Sequence, residues 1–221
     1  MRAFTGTGQD LPIRHQLDKP KHGDTKTRRH GDTETRRHDK QIITVENHTF
    51  LYSILQRIRF LLQATNQHGV HSPFVYAYIT KCIYAKPDYH EEKSLNILLK
   101  SLAYFQIRRI GLPSKPSAMA EITAEKIKCI RPNILVNQPP YDAMLTSCSE
   151  GLTLLETASE EYHIHKNSMI FVEDMYQSPE SRAAWEKLKE HPKVRVSIDF
   201  FYCAVVFFRK EQAREHFKIR L

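Results

Sequence analysis

Hydrophobic positions along this chain fall into two rhythms, and their alternation predicts the architecture. From Phe50 to Gln63, residues Leu51, Ile54, Leu55, Ile58, Leu61 and Leu62 recur at helical spacing, with Gln56, Arg57, Arg59 and Gln63 between them. The spacing predicts an amphipathic helix whose apolar stripe packs on its own domain, although a basic amphipathic helix is also a membrane-surface pattern. Gly69 and Pro73 punctuate a turn, and Ser72-Pro73 reads as N-cap and first residue of a second helix. That helix carries Phe74, Val75, Tyr78, Ile79, Cys82 and Ile83 on one side. Leu95, Leu98, Leu99, Leu102 and Phe105 mark a third.

Short apolar runs then take over. Arg108–Pro113 reads as a first strand and its turn, Ser117–Lys128 as a helix with apolar Met119, Ile122 and Ile127, and Asn133–Asn137 as a second strand. A third strand begins at Tyr141, after Pro139-Pro140, and a helix over 151–162 turns Leu152, Leu155 and Ala158 inward. Met169-Ile170-Phe171-Val172 is an uninterrupted apolar run that suits a strand buried on both faces. Glu173 and Asp174 end it, Ser178-Pro179 opens a helix to Glu190, and Ala183, Ala184, Trp185 and Leu188 form its inner side. Lys193–Asp199 alternates with period two, and the apolar run of 200–208 follows so closely that the two strands must pair antiparallel. The expected fold is α/β: a parallel, Rossmann-like sheet closed by a C-terminal antiparallel hairpin and preceded by N-terminal helices.

Composition narrows the classes. The chain has 221 residues, 41% hydrophobic and 26% charged, with a formal charge of +8. Residues 1–40 hold 10 Lys/Arg against 6 Asp/Glu, a net of +4, which leaves +4 for the other 181 residues. HGDTKTRR at 22–29 recurs as HGDTETRR at 30–37, polar throughout, so residues 1–41 read as a disordered basic low-complexity segment outside the folded unit. An N-terminal helical region over 42–103 and a sheet domain over 104–221 complete the expected organisation. The four cysteines are far apart and form no C-x-x-C, as suits a reducing cytosol. No apolar h-region opens the chain and no run reaches the length of a membrane span, so the expected location is cytoplasmic. His68 and His71 have a spacing that can serve a metal, but they straddle a turn without an acidic partner and read as turn histidines. His163 and His165 read as surface residues. No G-x-S-x-G elbow, Walker-type loop or H-E-x-x-H helix occurs.

The chemistry concentrates at Glu173 and Asp174, the carboxyl end of a strand, where open α/β sheets bind ligands. Acids before a helix N-terminus are also favourable without any function. QHGVHSPF at 67–74 and the stretch 170–221, from IFVEDMYQSPESRAAWEKLKEHPKV through VVFFRKEQAREHFKIRL, resemble one bacterial branch of the class I S-adenosylmethionine-dependent methyltransferases. The resemblance covers most of residues 50–221. It implies a cofactor site at the turn after the first strand (Gly111, Ser114) and at the second strand's end (Asn137). In such relatives the strand matching 169–174 ends in a pair of acids, matched here by Glu173 and Asp174, either of which an active enzyme would use as general base or substrate clamp.

This sequence departs from that pattern at the cofactor. The turn reads Gly111-Leu112-Pro113-Ser114-Lys115-Pro116-Ser117, with one glycine and two prolines where small residues normally let backbone amides approach the methionine moiety. Asn137 stands where an acid normally bonds the ribose, and about thirty residues between Ile110 and Tyr141 leave room for one βα unit rather than two. The first reading is therefore a methyltransferase-like protein with weakened or lost S-adenosylmethionine binding. The second is an active methyltransferase with an unorthodox pocket, acting on a small-molecule or macromolecular acceptor. The third is a non-enzymatic binding or scaffolding protein with a basic surface, for which nucleic acid is the candidate partner.

Overall fold

Seven strands in the order β2-β1-β3-β4-β6-β5-β7 organise the chain from Arg109 onward. The computed structural model describes residues 51–113, 118–130, 132–157 and 164–221. The repeat at 22–37 with the rest of 1–41, Ser114, Ala158, His163 and the side chain of Met119 lie outside the described residues. The strands are β1 (Arg109–Gly111), β2 (Leu135–Val136), β3 (Tyr141–Ser147), β4 (Ile164–Glu173), β5 (Val196–Asp199), β6 (Ala204–Phe207) and β7 (Glu215–Lys218). β1 pairs in parallel with β2 and β3, and β3 with β4. β6 runs antiparallel to both β4 and β5, and β7 pairs in parallel with β5. The result is a mixed α/β fold with a mostly parallel sheet and the expected antiparallel pair.

Helices cover both faces, which explains the unbroken apolar run of β4. Successive side chains point to opposite faces. Met169 and Phe171 join the core formed with α2 (Pro73–Tyr78), α3 (Lys93–Tyr104) and α4 (Ala118–Ile130). Ile170 and Val172 join the core formed with α5 (Cys148–Thr157) and α6 (Pro179–Glu190), where Trp185 and Leu188 are buried. Helix starts follow local chemistry. Ser72 Oγ accepts from Val75 N and Ser178 Oγ from Ser181 N, each with proline as the first helical residue. Glu92 caps α3 by accepting from the N–H groups of Ser94 and Leu95. α2 continues into a π-helical turn, Ile79–Ile83, and the buried Lys100 ammonium donates to the carbonyls of Ile83 (2.9 Å) and Ala85 (2.6 Å) and meets Asp88 at 2.7 Å.

Two expectations need correction. Residues 51–63 form a helix (α1), but its aliphatic stripe does not pack inward: Leu51, Leu55, Ile58 and Leu62 are 57%, 53%, 50% and 81% exposed. The residue α1 buries is Phe60, at 3% exposure, which joins the α5–α6 core. On α4, Ile122 is exposed as well, while Ile127 is buried. β4 also starts earlier than its apolar run. It includes His165, whose Nε2 lies 3.2 Å from Asp142 Oδ1, and the other oxygen of Asp142 accepts from Arg108 N and Arg109 N. The carboxylate thus ties the amino ends of β1, β3 and β4 together.

Candidate functional site

Parallel pairing puts Gly111, Ser147 and Glu173 at one rim of the sheet, where β1, β3 and β4 end. The two antiparallel steps through β6 restore the direction of β5, so Asp199 ends at that rim too, opposite Ala204 and beside Lys218 of β7. A carboxyl rim of this kind is the ligand-binding edge of open α/β sheets. Of the residues singled out in the sequence, Gly111, Asn137, Glu173 and Asp174 all lie on it, and Ser114 is outside the described residues.

At the β1–β2 end the rim closes on itself. Asn137 Oδ1 accepts from Leu112 N at 2.8 Å, and Asn137 N donates to Ile110 O at 2.8 Å. Asn137 holds a left-handed backbone with φ of 54°, which Asn tolerates better than most residues. Leu112 N–H is thereby taken, and Pro113 has none to offer. Gly111 does not leave a hollow for a ligand: a Cβ built there would stand 3.2 Å from Met144 Cγ and 3.4 Å from the Tyr141 ring. Its φ is not left-handed, and its lack of a side chain answers packing below the rim.

The acid pair divides its roles. Asp174, also left-handed with φ of 68°, accepts the N–H of Cys148 on Oδ1 at 2.9 Å. Cys148 is the first residue of α5, so this carboxylate satisfies an orphan amide at a helix N-terminus. The same terminus carries a capping box: Ser147 Oγ accepts from Glu150 N at 3.2 Å, and Glu150 Oε2 accepts from Ser147 N at 3.3 Å. Asp174 therefore caps a helix, though α5 across the sheet rather than α6, which follows it and has Ser178. Glu173 ends β4 beside Ser147, half-buried, and its carbonyl accepts from Cys148 Sγ at 3.6 Å. Burial first, then the neighbouring Asp174, pushes the Cys148 thiol well up, which keeps it from acting as a thiolate nucleophile.

Sequence reasoning missed the most elaborate part of the rim. Tyr176 OH donates to Asp199 Oδ2 at 2.5 Å, Phe201 N donates to Oδ1 at 2.8 Å, and Arg182 Nη1 stands 3.9 Å from Oδ2. The Tyr176 and Phe201 rings stack at 4.7 Å, and Phe60 of α1 meets both. Arg182 lies 4.8 Å over the Tyr176 ring, Arg57 lies 4.6 Å over Phe201, and Lys93 lies 4.9 Å over Tyr202. Burial raises the Asp199 carboxyl despite its donors and nearby Arg182, and burial followed by Asp199 pushes the Tyr176 phenol far up. The available signal was an acid closing an alternating strand directly before aromatic residues. Its partner Tyr176 stands 23 residues away, beyond any local pattern.

Three cavities lined by described residues lie elsewhere. The largest, about 700 Å³, opens at the amino end of β1 and β2 between Tyr89, Arg108, Arg109, Asn133 and Leu135. A second of about 620 Å³ lies among Tyr84, Asp88, Glu91, Lys93 and Leu221, and a third of about 240 Å³ beside Lys81, Lys86 and Lys100. None of the three is lined by Gly111, Asn137, Glu173 or Asp174. Among the described residues, no group of three or more His, Cys, Asp or Glu is placed to hold a metal ion. No protein-family model, curated protein or solved structure matches the chain.

Proposed function

We propose that this chain is a class I methyltransferase-like protein in which S-adenosylmethionine binding is weakened or lost. The observation that carries the reading is the Asn137 side chain on Leu112 N, with Pro113 next in line. Backbone amides after the first strand are what such a cofactor needs, and here one is taken and the next is missing. The Gly111 position offers no cradle either, because Met144 and Tyr141 already occupy the space a Cβ would enter. These residues do not fit the cofactor.

The finer description of the fold belongs to the same proposal. β6 is inserted antiparallel between β4 and β5, and the parallel strands run outward from β4 through β3 and β1 to β2. That arrangement agrees with a Rossmann-like methyltransferase sheet lacking one βα unit. Only residues 137–140 link β2 to β3, too few for the expected second helix. The resemblance of 67–74 and 170–221 to the bacterial methyltransferases points the same way.

An active enzyme with an unorthodox pocket would use Glu173 or Asp174 as base or clamp, and the engagement of Asp174 with Cys148 N disfavours the second of these. Titration calorimetry with S-adenosylmethionine tests the proposal. The expected result is no measurable heat of binding up to millimolar cofactor, and micromolar affinity would remove the reading.

A further inference from the structure

α1 presents the wrong face to its own domain. The side toward the body holds Ser53, Gln56, Arg57 and Phe60, of which only Phe60 is fully buried. The opposite side is a stripe of Leu51, Leu55, Ile58 and Leu62 in line, with Ile54 and Leu61 alongside, and all six are exposed. An exposed apolar patch this continuous marks an interaction surface.

The charges around the stripe select the partner. Arg57 is a helical neighbour of Ile54 and Leu61 on one border, and Arg59 of Leu55 and Leu62 on the other. Arg59 is exposed, while Arg57 lies over the Phe201 and Tyr202 rings, shared at Tyr202 with Lys93. At the far end, Lys218 Nζ donates to Gln63 Oε1, and the exposed Arg220 donates its backbone N–H to Thr65 O at 2.9 Å. No acidic residue occurs within 51–63. A second copy laid along this stripe would bring no acidic residue of 51–63 to Arg59, whereas an anionic surface meets that arginine and the apolar centre at once.

We infer that α1 docks this protein on an anionic lipid surface, lying in the interface plane with Leu51, Leu55, Ile58 and Leu62 among the acyl chains and the exposed Arg59 at the phosphates. No helix among the described residues is long and apolar enough to cross a membrane, so the contact is peripheral. Residues 1–40 carry a net +4 and could attract the same lipids without α1, so the experiment must separate charge from insertion.

Co-sedimentation of the full chain with phosphatidylglycerol–phosphatidylcholine vesicles, and with phosphatidylcholine alone, makes that separation. The expected result is salt-sensitive binding to the anionic vesicles only, weakened at least about tenfold in a Leu55→Ser, Ile58→Ser double variant. Both sites are exposed, so the variant should keep the native circular dichroism and melting temperature. Binding undiminished in the double variant would overturn the inference, as would equal binding to neutral vesicles or none to either. A dimer that the double variant dissociates, seen together with indifference to vesicles, would also overturn it and assign the stripe to a second copy.

Discussion

The two ends of the carboxyl rim are built to different standards. At the β1–β2 end the strands are three and two residues long, and a single asparagine closes the turn by taking Leu112 N–H. At the β4–β6 end a ten-residue strand pairs with one of four residues, itself paired with another of four, and a buried Asp199 is held by Tyr176 and Phe201 beneath a stacked aromatic pair. The difference teaches that an acid at a sheet rim is no evidence of catalysis by its position alone. Asp174 caps a helix and Asp199 closes a turn, so one end of the rim is a built framework while the other is closed by a single asparagine on one amide.

Perturbing the well-built end should cost most. Trp185→Ala opens a void in the core beneath it and should lower unfolding free energy by about 3–5 kcal/mol in a urea titration, against less than about 1 kcal/mol for Asn137→Gly at the thin end. Equal losses at the two ends would break the comparison. Asp174→Ala removes the cap on Cys148 N and leaves a left-handed alanine, for about 2 kcal/mol, whereas Asp174→Asn retains both the acceptor and the tolerance for that backbone and should cost well under half as much. If Asn proved as damaging as Ala in thermal unfolding, the carboxylate's charge rather than its geometry would matter. Tyr176→Phe should cost about 1–2 kcal/mol by taking a donor from a buried carboxylate.

The smallest effect is a pH dependence. Burial raises Asp199 above the ordinary aspartate value of about 3.9, so the folded chain holds this proton where the unfolded chain has released it. Its stabilising contribution is full below that value and is lost as pH rises through the folded pKa. Asp199→Asn should therefore compare more favourably with the wild type at neutral pH than near pH 4, and a gap that does not change with pH would refute the burial argument.

How much of this was legible followed from how local each cause is. Ser72-Pro73 and Ser178-Pro179 announced their helices because a cap and its amides lie within three residues. The hairpin of β5 and β6 followed from the shortness of its link. β7 escaped because Glu215-His216-Phe217-Lys218 has a single apolar residue and gains its place from pairing beside β5. The stripe of α1 was visible but its direction was not, since periodicity gives a helix a face without saying what lies opposite. Asp174 and Asp199 found their partners 26 and 23 residues away, and no short-range pattern encodes such a meeting. The proline-bearing turn after Gly111 was plain in the sequence, yet the Asn137 side chain that takes Leu112 N–H there was not.

The amide of Leu112 gives the most direct test of the central claim. In a 15N-labelled sample titrated with S-adenosylmethionine, its resonance should stay in place up to millimolar cofactor, because Asn137 Oδ1 already holds that N–H. A saturable shift of the Leu112 and Gly111 amides at micromolar cofactor would contradict the account.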